Sequence, residues 1–107
     1  MQTKQKSSKP ETKRSPTFRG HPVDLVVDVR SKVEYWLGHL DGATCIPLPD
    51  IVTRIAARPD VNPDTRILVY CASGGRSANA ATELRAMGYR KVTDAGAIAS
   101  AIQEYEP

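Results

Sequence analysis

The residue types best suited to chemistry stand in one short run, Cys71-Ala72-Ser73-Gly74-Gly75-Arg76-Ser77. The run follows an apolar stretch, Ile67 to Tyr70, that indicates a buried strand, and it leads into an Ala-rich stretch, Ser77 to Met87, that indicates a helix. Ligands of open α/β sheets bind at the carboxyl ends of the strands. The sequence therefore predicts a functional site where this strand meets this helix.

The backbone of this run is suited to holding an anion, and we call residues 71–77 the cradle. Glycines and small side chains let the chain curl so that N–H groups point inward, and the following helix adds unpaired N–H donors and its positive dipole end. A thiolate of Cys71 at the floor is stabilised by these N–H groups and by Arg76. We therefore expect the pKa of Cys71 to lie below its usual value of about 8.5.

Cys71 is accordingly the predicted nucleophile, and the predicted substrate-binding residues are the rest of the cradle: Ala72, Ser73, Gly74, Gly75, Arg76 and Ser77. The alternative is that Cys71 is only a small apolar residue at the end of a strand, where many buried cysteines lie. That alternative does not explain why glycines, an arginine and a serine follow at once.

The surrounding chain alternates short apolar runs with amphipathic stretches, which is typical of strands and crossover helices. We therefore predict an α/β domain with a central, mostly parallel sheet flanked by helices on both faces. The other predicted strands are Leu25 to Val29, Ala43 to Ile46 and Lys91 to Thr93. The other predicted helices run from Ser31, which forms a capping box with Glu34, to Gly38, from Ile51 to Ala56, and from Ile98 to Tyr105, after a turn at Ala95-Gly96.

The charges divide the chain into two parts. The 107 residues carry a formal net charge of +3, but residues 1–22 hold six lysines and arginines against one glutamate. This polar segment has almost nothing to bury, so we predict a disordered basic tail over residues 1–22 and a folded domain over residues 23–107. Because the remaining part is slightly acidic, we expect no nucleic-acid partner.

Long apolar segments are missing from the sequence. No window approaches the roughly 18 consecutive apolar residues of a membrane-spanning helix, and residues 1–20 lack the apolar core of an export signal. We expect a cytoplasmic protein with no membrane partner; a periplasmic protein whose signal peptide has been removed is the alternative. Two cysteines are too few for a disulfide framework, and no feature predicts an oligomeric state.

Several motifs in order resemble the rhodaneses, the thiosulfate sulfurtransferases. Cys71-x-x-Gly74-x-Arg76-Ser77 is similar to the active-site loop of that family. The upstream and downstream motifs that also match are Asp28-Val29-Arg30, Glu34-Tyr35, Gly38-His39-Leu40-Asp41-Gly42-Ala43, Ile46-Pro47, Met87-Gly88-Tyr89 and Ala95-Gly96. The resemblance covers roughly residues 24 to 98 and is greatest to small single-domain members, including the phage-shock type. The polar segment before the first strand departs from the edge strand and helix that many members have there.

This resemblance implies a rhodanese-like fold and a double-displacement reaction. Cys71 takes the outer sulfur of thiosulfate, sulfite leaves, and the persulfide on Cys71 gives that sulfur to cyanide or to a thiol. Arg76 is expected to hold the sulfonate end of the donor with its guanidinium fork. The reaction calls for no general acid and no cofactor.

Three other functions remain open from the residues. A cysteine phosphatase also combines Cys and Arg around an anion, but its motif has five intervening residues, whereas four separate Cys71 from Arg76. A nucleotide-binding phosphate loop is the second, but the lysine that such a loop requires is absent from the cradle. A rhodanese-like module that binds or carries sulfur for a specific protein, without turnover, is the third.

Residues outside the cradle receive weaker assignments. Asp28 and Arg30 follow another predicted strand and are candidates for the border of the pocket, although their role in the family is mostly architectural. His39 is expected to be structural, Cys45 to be a core or near-surface thiol, and Trp36 to be a packing residue. The histidines and cysteines show no close paired spacing, so we expect no metal site.

Overall fold

The computed structural model describes residues 15–107 and has a four-stranded parallel sheet at its centre. The strands, in chain order, are β1 (Thr17–Phe18), β2 (His21–Pro22), β3 (Leu25–Asp28), β4 (Thr44–Cys45), β5 (Arg66–Cys71), β6 (Lys91–Ala97) and β7 (Tyr105–Glu106). The helices are α1 (Lys32–Leu37), α2 (Ile51–Ala56), α3 (Gly75–Ala86) and α4 (Ile98–Ala101), and a 3-10 turn, Leu48–Asp50, leads into α2.

The central sheet has the strand order β4-β3-β5-β6. Its two inner strands are buried along almost their whole length because both of their faces are covered, as is usual in parallel sheets; Asp28 and Arg66 are their charged residues. One face packs against α2 and α3 through Ile51, Ile55 and Leu84, and the other packs against α1 and α4 through Tyr35 and Ala101. The predicted α/β class, with helices on both faces of a parallel sheet, is confirmed.

A second, smaller sheet has the order β2-β1-β7 and joins the two ends of the described chain. It corrects the predicted boundary, because residues 17–22 form two strands instead of belonging to a disordered tail; residues 1–14 lie outside the described residues. Phe18 explains the difference. Its side chain is buried in the same core cluster as Tyr105 and Leu68, so a long-range contact stabilises a segment whose composition is polar.

The segment after α3 also differs from its prediction. Strand β6 continues through Ala95-Gly96, which was predicted as a turn, and its register with β5 shifts there: Val69 pairs with Asp94 and Tyr70 with Gly96. Such a bulge lets a strand carry a glycine without ending. The predicted helix from Ile98 to Tyr105 is correct only to Ala101, since Tyr105 belongs to β7.

Helix α1 forms as predicted but packs differently. Ser31 caps it, with the reciprocal Glu34 contacts of a capping box, and Gly38 ends it. The prediction that Trp36 is a packing residue is wrong, because 86% of it is exposed. A helix of six residues can direct few side chains toward the sheet. In α1 the side chain that packs against the core is that of Tyr35. None of the helices in residues 15–107 has the length and apolar character needed to cross a bilayer.

Candidate active site

The cradle lies at the carboxyl end of β5, as predicted. Cys71 is the last residue of that strand, and its side chain lies on the same face as Val69 and Ile67, under α3. Helix α3 begins at Gly75, two residues before the predicted start. The amide of Ser77 is therefore one of the first-turn N–H groups, which have no partner within the helix.

Backbone amides converge on the sulfur of Cys71. The Gly74 amide nitrogen lies 3.0 Å from Sγ and the Ser77 amide nitrogen 3.3 Å from it. The hydroxyl oxygen of Ser77 lies 3.5 Å from Sγ and 3.1 Å from the Gly74 carbonyl oxygen, to which it can donate. The cradle thus brings together its predicted nucleophile and two of its predicted binding residues.

These hydrogen bonds determine the protonation of the thiol. Burial of Cys71 raises its pKa, but hydrogen bonds from the Ser77 hydroxyl and from the Ser77, Gly74 and Ser73 amides lower it by more, so the net pKa lies below its usual value. When the thiol ionises, the Ser77 hydroxyl can turn from the Gly74 carbonyl to the sulfur. The predicted direction of the Cys71 shift agrees with this geometry.

The sulfur is enclosed by small residues. Cys71 has no exposed surface, while Ala72, Ser73 and Gly75 on the rim are exposed. Below the sulfur lie apolar side chains of the core that includes Val69 and Ala80. The rim residues between Sγ and solvent are therefore small.

Arg76 takes an arrangement that the sequence did not predict. Its terminal nitrogens donate to the two carboxylate oxygens of Glu34 at 2.7 and 2.9 Å, so its fork is occupied by the protein itself. The hydrogen bonds from Arg76 hold the pKa of Glu34 at about 2, so the carboxylate is charged at neutral pH. Three of the five N–H donors of the guanidinium remain for other partners.

Glu34 is a residue of the site that sequence reasoning missed. Its spacing from Ser31 revealed the capping box, and the Ser31 amide and hydroxyl both donate to Glu34 Oε1 at 3.0 Å. No local pattern could indicate the contact with Arg76, which is 42 residues away in the chain. The ion pair fixes α1 against the cradle.

The predicted border residues Asp28 and Arg30 form a buried ion pair on the other side of the sheet. The Asp28 carboxylate is fully buried and accepts hydrogen bonds from Arg30 Nε and Nη2 and from the Tyr70 hydroxyl. Tyr70 precedes Cys71, and successive side chains of a strand point to opposite faces. Asp28 has no surface left to bind a substrate, so both residues support the ends of β3 and β5.

His39 and Cys45 occupy structural positions. The His39 ring stacks on Tyr35 with 3.7 Å between centroids, and its Nδ1 lies 2.9 Å from the Tyr35 carbonyl oxygen. Cys45 is half-buried, and desolvation raises its pKa, opposite to Cys71. Both cysteines are free thiols. Within residues 15–107, no three His, Cys, Asp or Glu side chains are grouped so that they could hold a metal ion.

The chain is similar to known sulfur-transfer proteins. It is 44% identical over 73 residues to thiosulfate sulfurtransferase PspE of Escherichia coli (strain K12), covering 67% of this chain and 68% of that protein. It is 36% identical over 81 residues to thiosulfate sulfurtransferase 18 of Arabidopsis thaliana, covering 65% of this chain and 60% of that protein. The alignment therefore leaves more than a third of the plant relative unmatched.

A solved structure and a family description agree with this similarity. The structure described as rhodanese with anions from E. coli matches with a TM-score of 0.67 and 34% identity, over 71% of this chain and 88% of that one. Residues 12–95 match the family described as rhodanese-like domain. By sequence and by fold, the chain belongs to the family of rhodanese-like domains.

Proposed function

We propose that this chain is a thiosulfate sulfurtransferase that forms a persulfide on Cys71. In the first step the Cys71 thiolate attacks the outer sulfur of thiosulfate, a sulfur–sulfur bond forms to Cys71, and the bond to the inner sulfur breaks. Sulfite leaves with the bonding electron pair. In the second step cyanide or a thiolate attacks the outer sulfur of the persulfide and regenerates the Cys71 thiolate.

The observation that carries this proposal is the convergence of amides on Cys71 Sγ. The Gly74 and Ser77 amides donate to Sγ and so stabilise the attacking thiolate. The persulfide carries its charge on the outer sulfur, about 2 Å beyond Sγ, and the amides of the same loop are the fixed dipoles beside it. Fixed dipoles aimed at such a charge stabilise it with little reorganisation. Sulfite is a competent leaving group, so the reaction needs no general acid.

A phosphatase is less well supported by the same residues. A phosphatase of this type uses its arginine to bind oxygens of the phosphoryl group, and here two of the five N–H donors of Arg76 are already bonded to Glu34. The loop is also one residue shorter than the phosphatase motif. Both features favour a single sulfur atom over a tetrahedral phosphoryl group.

The test is sulfur transfer from thiosulfate to cyanide by the full chain, followed by mass analysis of the protein treated with thiosulfate alone. We expect thiocyanate formation and a mass increase of one sulfur atom, both lost in Cys71→Ser. Cys45→Ser is the matched control and should keep both signals. Absence of both signals in the wild type refutes the proposal.

Two intermediate results identify the alternatives. A persulfide on Cys71 without turnover to cyanide or to small thiols indicates a sulfur carrier that serves a specific protein. Phosphate release from an aryl phosphate that depends on Cys71 indicates a phosphatase. Either result overturns the proposed reaction while leaving the nucleophile correctly assigned.

A further inference from the structure

We propose that Glu34 is a positioning residue that sets the net charge at the cradle, so that Glu34 and Arg76 act as one electroneutral pair and the backbone amides bind the donor anion. This inference rests on the proposed function, since it names what governs the choice of sulfur donor. It replaces the expectation that Arg76 is the principal ligand of the sulfonate group.

The geometry supports a fixed pair instead of a free cation. Two hydrogen bonds of 2.7 and 2.9 Å join the guanidinium to the carboxylate in the bidentate form, which is the strongest arrangement of these two groups. Glu34 is itself fixed by two further hydrogen bonds, from the Ser31 amide and hydroxyl. Arg76 is therefore held by a group that belongs to the N-terminus of α1.

The position of the pair makes its charge relevant to the thiol. Arg76 lies five residues after Cys71, in the first turn of the same helix that supplies the Ser77 amide to Sγ, and the pKa of Arg76 is raised chiefly by Glu34 and further by the charge of Cys71. An unpartnered carboxylate at this place would repel a dianion such as thiosulfate more than a monoanionic or neutral donor. Arg76 therefore neutralises the negative charge of Glu34, and Glu34 in turn fixes the position of the Arg76 guanidinium.

A double-mutant cycle separates this role from direct binding of the donor by Arg76. Arg76→Gln leaves Glu34 uncompensated, so we expect the KM for thiosulfate to rise about tenfold. Glu34→Gln leaves Arg76 uncompensated, so we expect that KM to fall about threefold or more, with kcat changed less than about twofold. The double variant restores neutrality, and its KM should return to within about threefold of the wild type.

The substitutions suit the fold. Glutamine at the third helical position also completes a capping box with Ser31, so Glu34→Gln keeps the start of α1. The matched control is Glu104→Gln, which removes the charge from another bidentate Arg–Glu pair, the exposed one with Arg19, in a different part of the fold. We expect this control to change neither KM nor kcat for thiosulfate.

A second readout does not depend on sulfur transfer. Iodoacetate and iodoacetamide alkylate the same thiolate but differ by one negative charge, so the ratio of their rates at Cys71 reports the local potential. To isolate Cys71, these rates are measured in a Cys45→Ser background. We expect the iodoacetate-to-iodoacetamide ratio to fall in Arg76→Gln, to rise in Glu34→Gln and to recover in the double variant, each by about threefold or more.

The outcomes distinguish the two proposals. If the wild type transfers no sulfur but the alkylation ratios follow this order, the proposed function fails and the charge role of Glu34 stands. If the double variant remains as impaired as Arg76→Gln in both assays, Arg76 binds the anion directly and the inference is wrong. If Glu34→Gln weakens the use of thiosulfate and leaves the alkylation ratio unchanged, Glu34 only anchors α1, and the inference is also wrong.

Discussion

The amide nitrogen of Gly74 lies 3.0 Å from Cys71 Sγ, and Gly74 reaches this position with a φ of +104°. That backbone conformation is open to glycine at little cost and unfavourable for residues with a Cβ atom. The donor nearest to the thiolate therefore depends on the absence of a side chain. A Cβ atom at Gly74 would meet no atom within 4 Å, so the backbone conformation and not steric crowding is what restricts this position to glycine.

Replacing Gly74 should disturb the thiol through the backbone. In Gly74→Ala we expect the amide to turn away from Sγ, the pKa of Cys71 to rise, and sulfur transfer at pH 7 to fall by about tenfold or more. Gly88→Ala is the matched control, because Gly88 has a φ of +101° and equally open surroundings. Both variants should lose about 1–2 kcal/mol of unfolding free energy, but only Gly74→Ala should shift the pH profile of Cys71 alkylation.

The hydroxyl of Ser77 should contribute to the ionisation of Cys71. In Ser77→Ala the pKa of the thiol should rise, because one donor to the thiolate is lost and burial still disfavours the charge. We expect alkylation of Cys71 at pH 7 to slow by about tenfold and its pH profile to move upward. Ser73→Ala is the control, since Ser73 contributes its backbone amide, which the substitution keeps. An unchanged profile in Ser77→Ala would contradict the role assigned to the hydroxyl.

The buried network behind the cradle should carry measurable stability. The Tyr70 hydroxyl donates to Asp28 Oδ2 at 2.8 Å and accepts from the Leu40 amide at 3.0 Å. Tyr70→Phe keeps the ring and removes both bonds, so we expect a loss of about 1–3 kcal/mol in urea unfolding. Tyr89→Phe, at a half-buried tyrosine, should stay within about 0.5 kcal/mol of the wild type. Equal losses of unfolding free energy in the two variants would show that the network does not stabilise the fold.

Acid should weaken the fold through two ion-paired carboxylates. Hydrogen bonds from Arg66 lower the pKa of Asp24 from 3.8 to about 2, and those from Arg76 lower the pKa of Glu34 from 4.5 to about 2. Carboxylates whose pKa is depressed in the folded state add stability above their unfolded pKa and lose it as the pH falls toward the folded pKa. The unfolding free energy should therefore decline from about pH 4.5 to about pH 2, and less steeply in Asp24→Asn. Urea titrations at several pH values measure this slope, and an equal slope in the variant would contradict the assignment.

The sequence predicted correctly those parts of the fold that depend on residues close together in the chain. The capping box of Ser31, the apolar run of β5 and the Cys–Gly–Arg–Ser order of the cradle are all signals within a few neighbouring residues, and each was confirmed in position. Cys71 could be singled out as the candidate nucleophile for the same reason. The donors to its sulfur come from the next six residues of the chain.

Features that depend on distant contacts were missed. Glu34 meets Arg76 across 42 residues, Phe18 is buried by contacts with the far end of the chain, and the exposure of Trp36 follows from which side of a very short helix faces the sheet. Composition and periodicity carry no information on such pairings. They therefore predicted a tail that included residues 17–22 and a packing role for Trp36, and they gave no sign that Glu34 pairs with Arg76.

The pairing of β1 with β7 places Thr17 beside Glu106, nearly the full described length apart. During synthesis from the amino terminus, β1 and the strands β3, β4 and β5 leave the ribosome before residues 105–106 do, so β1 waits for this second partner. The core cluster around Leu68 and Tyr70 is then completed only when Tyr105 arrives. The rear of the strand that carries Cys71 accordingly stays open to chaperones and proteases until Tyr105 has packed against it.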